Sequence, residues 1–280
     1  MINKYLGIGI NGYPGALLRG CIPDIRCSSE WLIDQGWCHK ELRPCTDDHR
    51  PTAPTRLGIW RRLSWLVEDA KPGDKLILHY SGHGAQIPTR DSDREVDGLI
   101  EVLCPIDFDR DTRETWLRDV DFMRQLKRIP VGVDCTVVLD SCYSGGMDRG
   151  PTLDADRCIN PRGERISRAY PVTSSWDYEV RYKSAKEFGI KPTPFIRTEE
   201  VPHICFMMGC REDQTCAEKY FNGEGYRGAW SKYLFDELAK NPSYPRVEVA
   251  HLASERLEAN GFVQKPIVVG PDELLSKRLG

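Results

Sequence analysis

Val137-Val138-Leu139-Asp140-Ser141-Cys142-Tyr143-Ser144-Gly145-Gly146 is an apolar, β-branched run that breaks off at a cysteine set among small residues. Leu76-Ile77-Leu78-His79-Tyr80-Ser81-Gly82-His83-Gly84 repeats the design with a histidine in the cysteine's place. Both runs are apolar on both faces, the pattern of strands buried inside a parallel sheet. Each closes on one half of a thiol–imidazole pair, the groups a cysteine nucleophile and its base require.

Working outward, residues 4–10 read as a strand that stops at the turn cluster Asn11-Gly12-Tyr13-Pro14-Gly15. Further strands are expected over 75–80, within 131–140, and over 203–209 and 266–269. Helical spacing covers 24–37, 55–70, 229–239 and 247–260, with stops at Gly36, Pro72-Gly73, Asn241-Pro242 and Gly261. Buried strands alternating with helices predict an α/β fold: a mostly parallel central sheet with helices on both faces. Ligands bind such sheets beyond the carboxyl ends of the strands. Asn11, His83 and Cys142 are therefore expected at one edge. Stretches 86–121 and 149–202 have little periodicity and read as irregular, and the second is too long for an ordinary connection.

The 280 residues suit one core, and 40% hydrophobic with 29% charged residues is an ordinary globular balance. A net charge of −3 leaves no electrostatic footprint for nucleic acid or an anionic membrane. No apolar run approaches the roughly 18 residues of a membrane span, and the N-terminus has no signal-peptide pattern. The 11 cysteines are scattered without a CxxC pair, which argues for free thiols in a reducing cytoplasm rather than a zinc ribbon or a disulfide framework.

Cys142 is the candidate nucleophile and His83 its base. The N–H groups of Gly84 and Cys142 are placed to form an oxyanion hole. A helix starting after Cys142 would help the imidazole lower the thiol pKa. His79, His203, Cys104, Cys135 and Cys205 lie in or beside apolar runs and read as structural.

The chain resembles the metacaspases and prokaryotic orthocaspases of the caspase-like cysteine peptidase clan. The likeness is carried by Tyr80-Ser81-Gly82-His83-Gly84 and Asp140-Ser141-Cys142-Tyr143-Ser144-Gly145. It is extended by Asn11-Gly12-Tyr13-Pro14-Gly15-Ala16, Gly20-Cys21-Ile22-Pro23-Asp24, Gly209-Cys210-Arg211-Glu212-Asp213-Gln214-Thr215, Gly228-Ala229-Trp230 and Gln264-Lys265-Pro266. The resemblance implies a single caspase-like (caspase-hemoglobinase) domain over 1–280. Its large-subunit-like part runs to about residue 150, an irregular linker covers 151–202, and a small-subunit-like part covers 203–280. One departure is Tyr143, where the family usually has histidine.

The resemblance further implies an endopeptidase that cuts protein or peptide substrates after Arg or Lys, acting as a monomer in the cytoplasm. Asp24, Asp140 and Ser81 would line the acidic pocket for the basic side chain. From the residues alone, Asp24 reads as a helix N-cap and Asp140 as a strand-end residue that binds loop backbone. No cofactor is expected to be required. A calcium ion is the one candidate, on Asp97 with Asp119 and Asp121 and with Asp148 as a further contributor, and a solvated acidic loop is the alternative. Asp91 to Gly98 is not an EF-hand, because Cys104 stands where the closing Glu belongs. The linker offers sites for self-processing of a zymogen at Arg149, Arg157, Arg162, Arg165, Arg168, Arg181 and Lys183. The alternative from another class is a catalytically silent caspase-like module that binds partners; retention of both Cys142 and His83 argues against it.

Overall fold

The computed structural model describes residues 1–88, 99–142, 166–168, 195–211 and 214–280. The chain opens with β1 (Asn3–Gly9), α1 (Cys21–Asp34), β2 (Leu42–Thr46), α2 (Arg56–Val67) and β3 (Lys75–Ser81). Next come β4 (Gly84–Pro88), β5 (Leu99–Leu103), β6 (Leu117–Arg118), α3 (Asp119–Leu126) and β7 (Asp134–Asp140). Then follow β8 (Ile166–Ser167), β9 (Cys205–Met208), β10 (Ala217–Phe221), β11 (Gly225–Gly228), α4 (Ala229–Lys240), α5 (Arg246–Ala259), β12 (Ile267–Val269) and α6 (Asp272–Leu275).

The central six-stranded sheet has the order β12-β9-β7-β3-β1-β2. Every pairing in it is parallel except β12 with β9. Side chains alternate between its faces, as a period of two requires. Leu6, Ile8, Leu76, Leu78, Cys135, Val137 and Leu139 join the core on the side of α2 and α3. Tyr5, Ile77 and Val138 join the core formed with α1, α4 and α5. Both faces are covered, which is why these strands are apolar throughout. The sheet takes β9 and β12 from beyond residue 203 and the rest from before residue 141. No helix among the described residues is long and apolar enough to cross a membrane.

The described residues 86–88 and 99–121 are not irregular: they belong to an antiparallel sheet, β4-β5-β6, its connections and the first turn of α3. Among the described residues most of the acids sit in connections, which hides the pattern, while Leu99-Ile100-Glu101-Val102-Leu103 is buried throughout. Even Glu101 is inside, accepting a hydrogen bond from Gln86 Nε2 at 3.0 Å. A second small sheet, β11-β10-β8, lies outside the sequence expectation as well.

His79 is buried between the Ser28 hydroxyl at 3.0 Å and the Ser231 hydroxyl at 3.1 Å. Burial holds its pKa down to about 3 from 6.5; the Asp24 charge works the other way, and Arg168 and Arg227 reinforce burial. The ring is therefore neutral in the native state, whereas the unfolded chain takes up a proton below about 6.5. Between those values the unfolded state binds more protons, so stability falls as pH drops through that window, by at most about 1.4 kcal/mol per pH unit from this one group. Urea unfolding across pH 3–7 should show His79→Asn losing that part of the slope; an unaltered slope would contradict the neutral buried ring.

Candidate active site

Register is what brings the two candidate catalytic groups together. Ser81 of β3 pairs with Asp140 of β7. His83 and Cys142 each lie two residues past that pair, on neighbouring strands about 4.8 Å apart. Tyr13 and Tyr80 fix the histidine. The His83 N–H donates to the Tyr13 hydroxyl at 3.1 Å, and the Tyr80 hydroxyl donates to the His83 carbonyl at 2.8 Å. The Tyr13 ring packs on the imidazole with centroids 4.6 Å apart.

His83 Nε2 lies 2.7 Å from the Ala16 carbonyl oxygen. A carbonyl can only accept, so Nε2 carries the proton, and in the neutral ring Nδ1 is the basic nitrogen. The Arg168 backbone also lies beside the ring and, like the Ala16 carbonyl, favours its protonated form. Burial lowers the His83 pKa to about 4, against the two backbone contacts, which raise it. Burial also pushes the Cys142 thiol well above its ordinary value, and the neighbouring Cys216 adds to the effect. In this state the pair is a neutral thiol and a neutral imidazole, not the activated thiolate expected from sequence. The physical reason is that water is shut out: Cys142 is 0% and His83 2% exposed.

What shuts it out is Arg168. Its carbonyl oxygen accepts the Gly84 N–H at 3.1 Å, and its own N–H donates to the Cys216 carbonyl at 3.1 Å. The Cys142 thiol points at that same Cys216 oxygen, at 4.0 Å. The side chain enters a wholly buried acidic pocket. Nη2 donates to Asp24 Oδ2 at 2.8 Å, and Nη1 donates to the Ser81 hydroxyl at 2.7 Å and the Asp140 carbonyl at 2.9 Å. Asp140 Oδ1 lies 3.2 Å from Nη1, and Glu218 Oε2 lies 3.6 Å from Nη2. Burial opposes the charge on Arg168, but Asp140, Asp24 and Glu218 outweigh it and hold the guanidinium's pKa raised.

The pocket is built from five parts of the chain, Ser81 of β3 among them. Asp24 sits in the first turn of α1 and is not its N-cap, because α1 begins at Cys21 with Gly20 as cap. Its Oδ1 accepts Arg227 Nε at 2.8 Å, leaving Oδ2 for the pocket. Asp140 Oδ2 accepts the N–H and hydroxyl of Ser231 at 2.9 and 2.7 Å, which ties the end of β7 to α4. Glu218 of β10 accepts the Arg19 and Gly20 N–H groups at 2.8 and 2.9 Å. Gly228 forms one wall; a Cβ there would stand 2.6 Å from Arg168 Cζ, so any side chain would fill the space. Glu218, Gly228 and Arg168 were not legible as pocket residues. The only hint for Glu218 was an acid at the start of a short, mixed-polarity stretch.

The carboxylates expected to hold a cation lie elsewhere. Asp121 is paired with Arg118 at 3.0 Å and with Arg56 and Arg124 at 3.5 Å. Asp119 is paired with Arg197, while its buried Oδ1 has no hydrogen-bond partner among the described residues. Arginines are paired with both Asp119 and Asp121 in the arrangement described. Among the described residues no cluster of three His, Cys, Asp or Glu is arranged to hold a metal. Asp97, Asp148 and Tyr143 lie outside the described residues, as do the linker residues Arg149, Arg157, Arg162, Arg165, Arg181 and Lys183.

The family profile described as "Metacaspase, peptidase C14 domain" matches residues 3–149. Metacaspase-1A of Aspergillus niger is 31% identical over 283 residues, covering 94% of this chain and 69% of its own length. Metacaspase-1 of Coccidioides immitis is also 31% identical, with 94% and 60% covered. Metacaspase-1B of Neurospora crassa is 31% identical, with 94% and 65% covered. The chain thus spans about two thirds of the length of these curated relatives. A crystal structure of a Geobacter sulfurreducens protein shares the fold: the TM-score is 0.68 at 21% identity, with 99% of this chain and 97% of that one covered.

Proposed function

We propose, on the premise that this chain belongs to the metacaspase family of C14 cysteine-type peptidases, that it is an endopeptidase cutting protein chains after arginine and, more slowly, after lysine. The observation that carries this reading is the Arg168 side chain seated among Asp24, Asp140 and Glu218 while its carbonyl rests on the Gly84 N–H. Three carboxylates face that site, and among the described residues Arg227 is the one cation paired with them once a substrate arginine has left. A planar guanidinium reaches Asp24 and Asp140 through separate nitrogens. An ammonium is a single point and cannot span both as well.

Cys142 is the nucleophile and His83 Nδ1 the base. The Gly84 and Cys142 N–H groups take the charge that develops on the carbonyl oxygen. No divalent cation is required, since arginines already hold Asp119 and Asp121.

A fluorogenic panel with Arg, Lys or Asp at the cleaved position tests this. The expected order is Arg, then Lys about tenfold lower in kcat/KM, with no turnover of Asp. Rates should be the same in chelator and in added calcium. Preference for Asp, or equal rates on all three, would overturn the pocket assignment, and activity only with calcium would overturn the metal-free reading.

A further inference from the structure

Resting on the peptidase reading, we infer that the chain has a second contact site for its protein substrates: a basic groove beside the edge strand β2 that takes an acidic stretch of the polypeptide being cut. The groove has a volume of about 630 Å³, within the range of small-molecule sites. Arg43 of β2, Arg61 and Arg62 of α2, and Thr46, His49 and Thr52 line it.

The whole chain carries a net charge of −3, yet the lining of this concavity includes three arginines and no carboxylate. The acids that flank β2 are engaged elsewhere. Glu41 accepts the Cys38 N–H at 2.6 Å, Asp47 accepts the Asn11 and Gly12 N–H groups at 2.9 and 2.7 Å, and Asp48 pairs with Arg26. Among the described residues no carboxylate pairs with Arg43, Arg61 or Arg62. Arg62 Nη1 has the Gly58 carbonyl of its own helix at 3.4 Å, and Arg43 Cζ lies 4.1 Å from the centroid of the Trp65 ring. That stack holds one cation in place beforehand, which lowers the cost of ordering it around a ligand. Like charges gathered in a concave site without counter-charges leave a field that favours an anion.

Position says which anion. Thr46 of β2 lies opposite Gly9 of β1, Gly9 opposite Ser81 of β3, and Ser81 opposite Asp140 of β7. One row across the sheet thus joins the groove to the residue two before Cys142. Three strand spacings make that row about 14 Å long, which an extended polypeptide covers in about five residues. A single substrate chain therefore reaches both places. β2 is the last strand of the sheet, and its Pro44 has no N–H to give, so recognition there falls to side chains rather than to strand addition. Carboxylates match guanidinium groups in paired hydrogen bonds, so neighbouring Asp or Glu residues are the complement of these arginines. A substrate held at this second point has a raised effective concentration at the cleft, which lowers KM and leaves kcat alone.

The test is an internally quenched Arg peptide joined, through ten Gly/Ser residues that span about 17 Å, to a tail of six glutamates or six glutamines. The glutamate tail should lower KM about tenfold at low salt with kcat unchanged, and the gain should shrink at high salt. Arg43→Gln, Arg61→Gln and Arg62→Gln together should erase the gain and leave the untailed peptide unaffected. Arg61→Gln with Arg62→Gln, which spares the Trp65 stack, should erase most of it and serves if the triple variant fails to fold. A gain that the glutamine tail matches, that survives in the variants or that ignores salt overturns the inference. Apart from turnover, fluorescein-labelled hexaglutamate should bind Cys142→Ala protein, and about tenfold more weakly once the arginines are replaced. A single-stranded oligonucleotide of six phosphates that binds more tightly than hexaglutamate overturns the choice of a polypeptide. If Arg peptides are cut and the tail brings no gain, the groove inference fails alone. If hexaglutamate binds but no Arg peptide is cut, the peptidase reading fails and takes the substrate role with it.

Discussion

Cys142→Ala is expected to lose all but background cleavage of an Arg peptide, a fall of about 10⁴-fold or more in kcat/KM. His83→Ala should fall nearly as far, and the double variant no further, because two groups that act as one unit do not add. The reason lies in how the ring is fixed. The Ala16 carbonyl accepts the Nε2 proton at 2.7 Å, so the nitrogen left to accept the thiol proton is Nδ1. Without the ring the thiol has no acceptor, and without the thiol the ring has nothing to activate. Cys142 is a small side chain in a thiol cluster with Cys210 and Cys216, so its truncation leaves little space behind. Its alanine variant should melt within a few degrees of the parent. Additive losses in the double variant, or a cysteine variant that still turns over, would show that the pair is not the reacting unit.

The two reacting groups could be seen in the sequence because each ends an apolar run, and a strand's period and burial are local properties. The parallel sheet followed from the same runs, and α1, α2, α4 and α5 from helical spacing. The pocket was less legible. Asp24 and Asp140 stood out only through family likeness, because an isolated aspartate near a helix start or strand end has an ordinary capping or turn role. Asp24 proved to be past the cap, and what it binds comes from residues 144 and 203 positions further along the chain. Glu218 and Arg168 could not be paired by any local rule. Their meeting depends on β8 lying against β10, two short strands whose partners are fixed by tertiary packing rather than pattern. The stretch 86–121 failed for a related reason: the acids in its connections diluted a buried strand.

Asp140→Ala is the other change with a large expected effect, and it acts in two separable ways. In the folded chain it removes one carboxylate from a fully buried arginine and strips Ser231 of the acceptor for its N–H and hydroxyl. Leaving a buried charge short of its partner costs about 3–5 kcal/mol. The lost Ser231 bonds add about 1 kcal/mol each. Towards an Arg peptide the same change empties one side of the pocket, and kcat/KM should fall at least about 10³-fold. Asp140→Asn separates the two effects. Its amide oxygen still accepts from Ser231, so the fold should suffer less, while the missing charge should cost most of the Arg preference. Thermal or urea unfolding in the Cys142→Ala background, where no peptidase activity intervenes, gives the first quantity. There, adding Arg168→Gln should shrink the cost of Asp140→Ala towards that of the Ser231 bonds alone, because no guanidinium is left to strand. Additive costs in that cycle would mean that Asp140 and Arg168 are not coupled. Undiminished, unchanged preference in Asp140→Asn would mean that the guanidinium is read by other groups, Asp24 and Glu218 foremost.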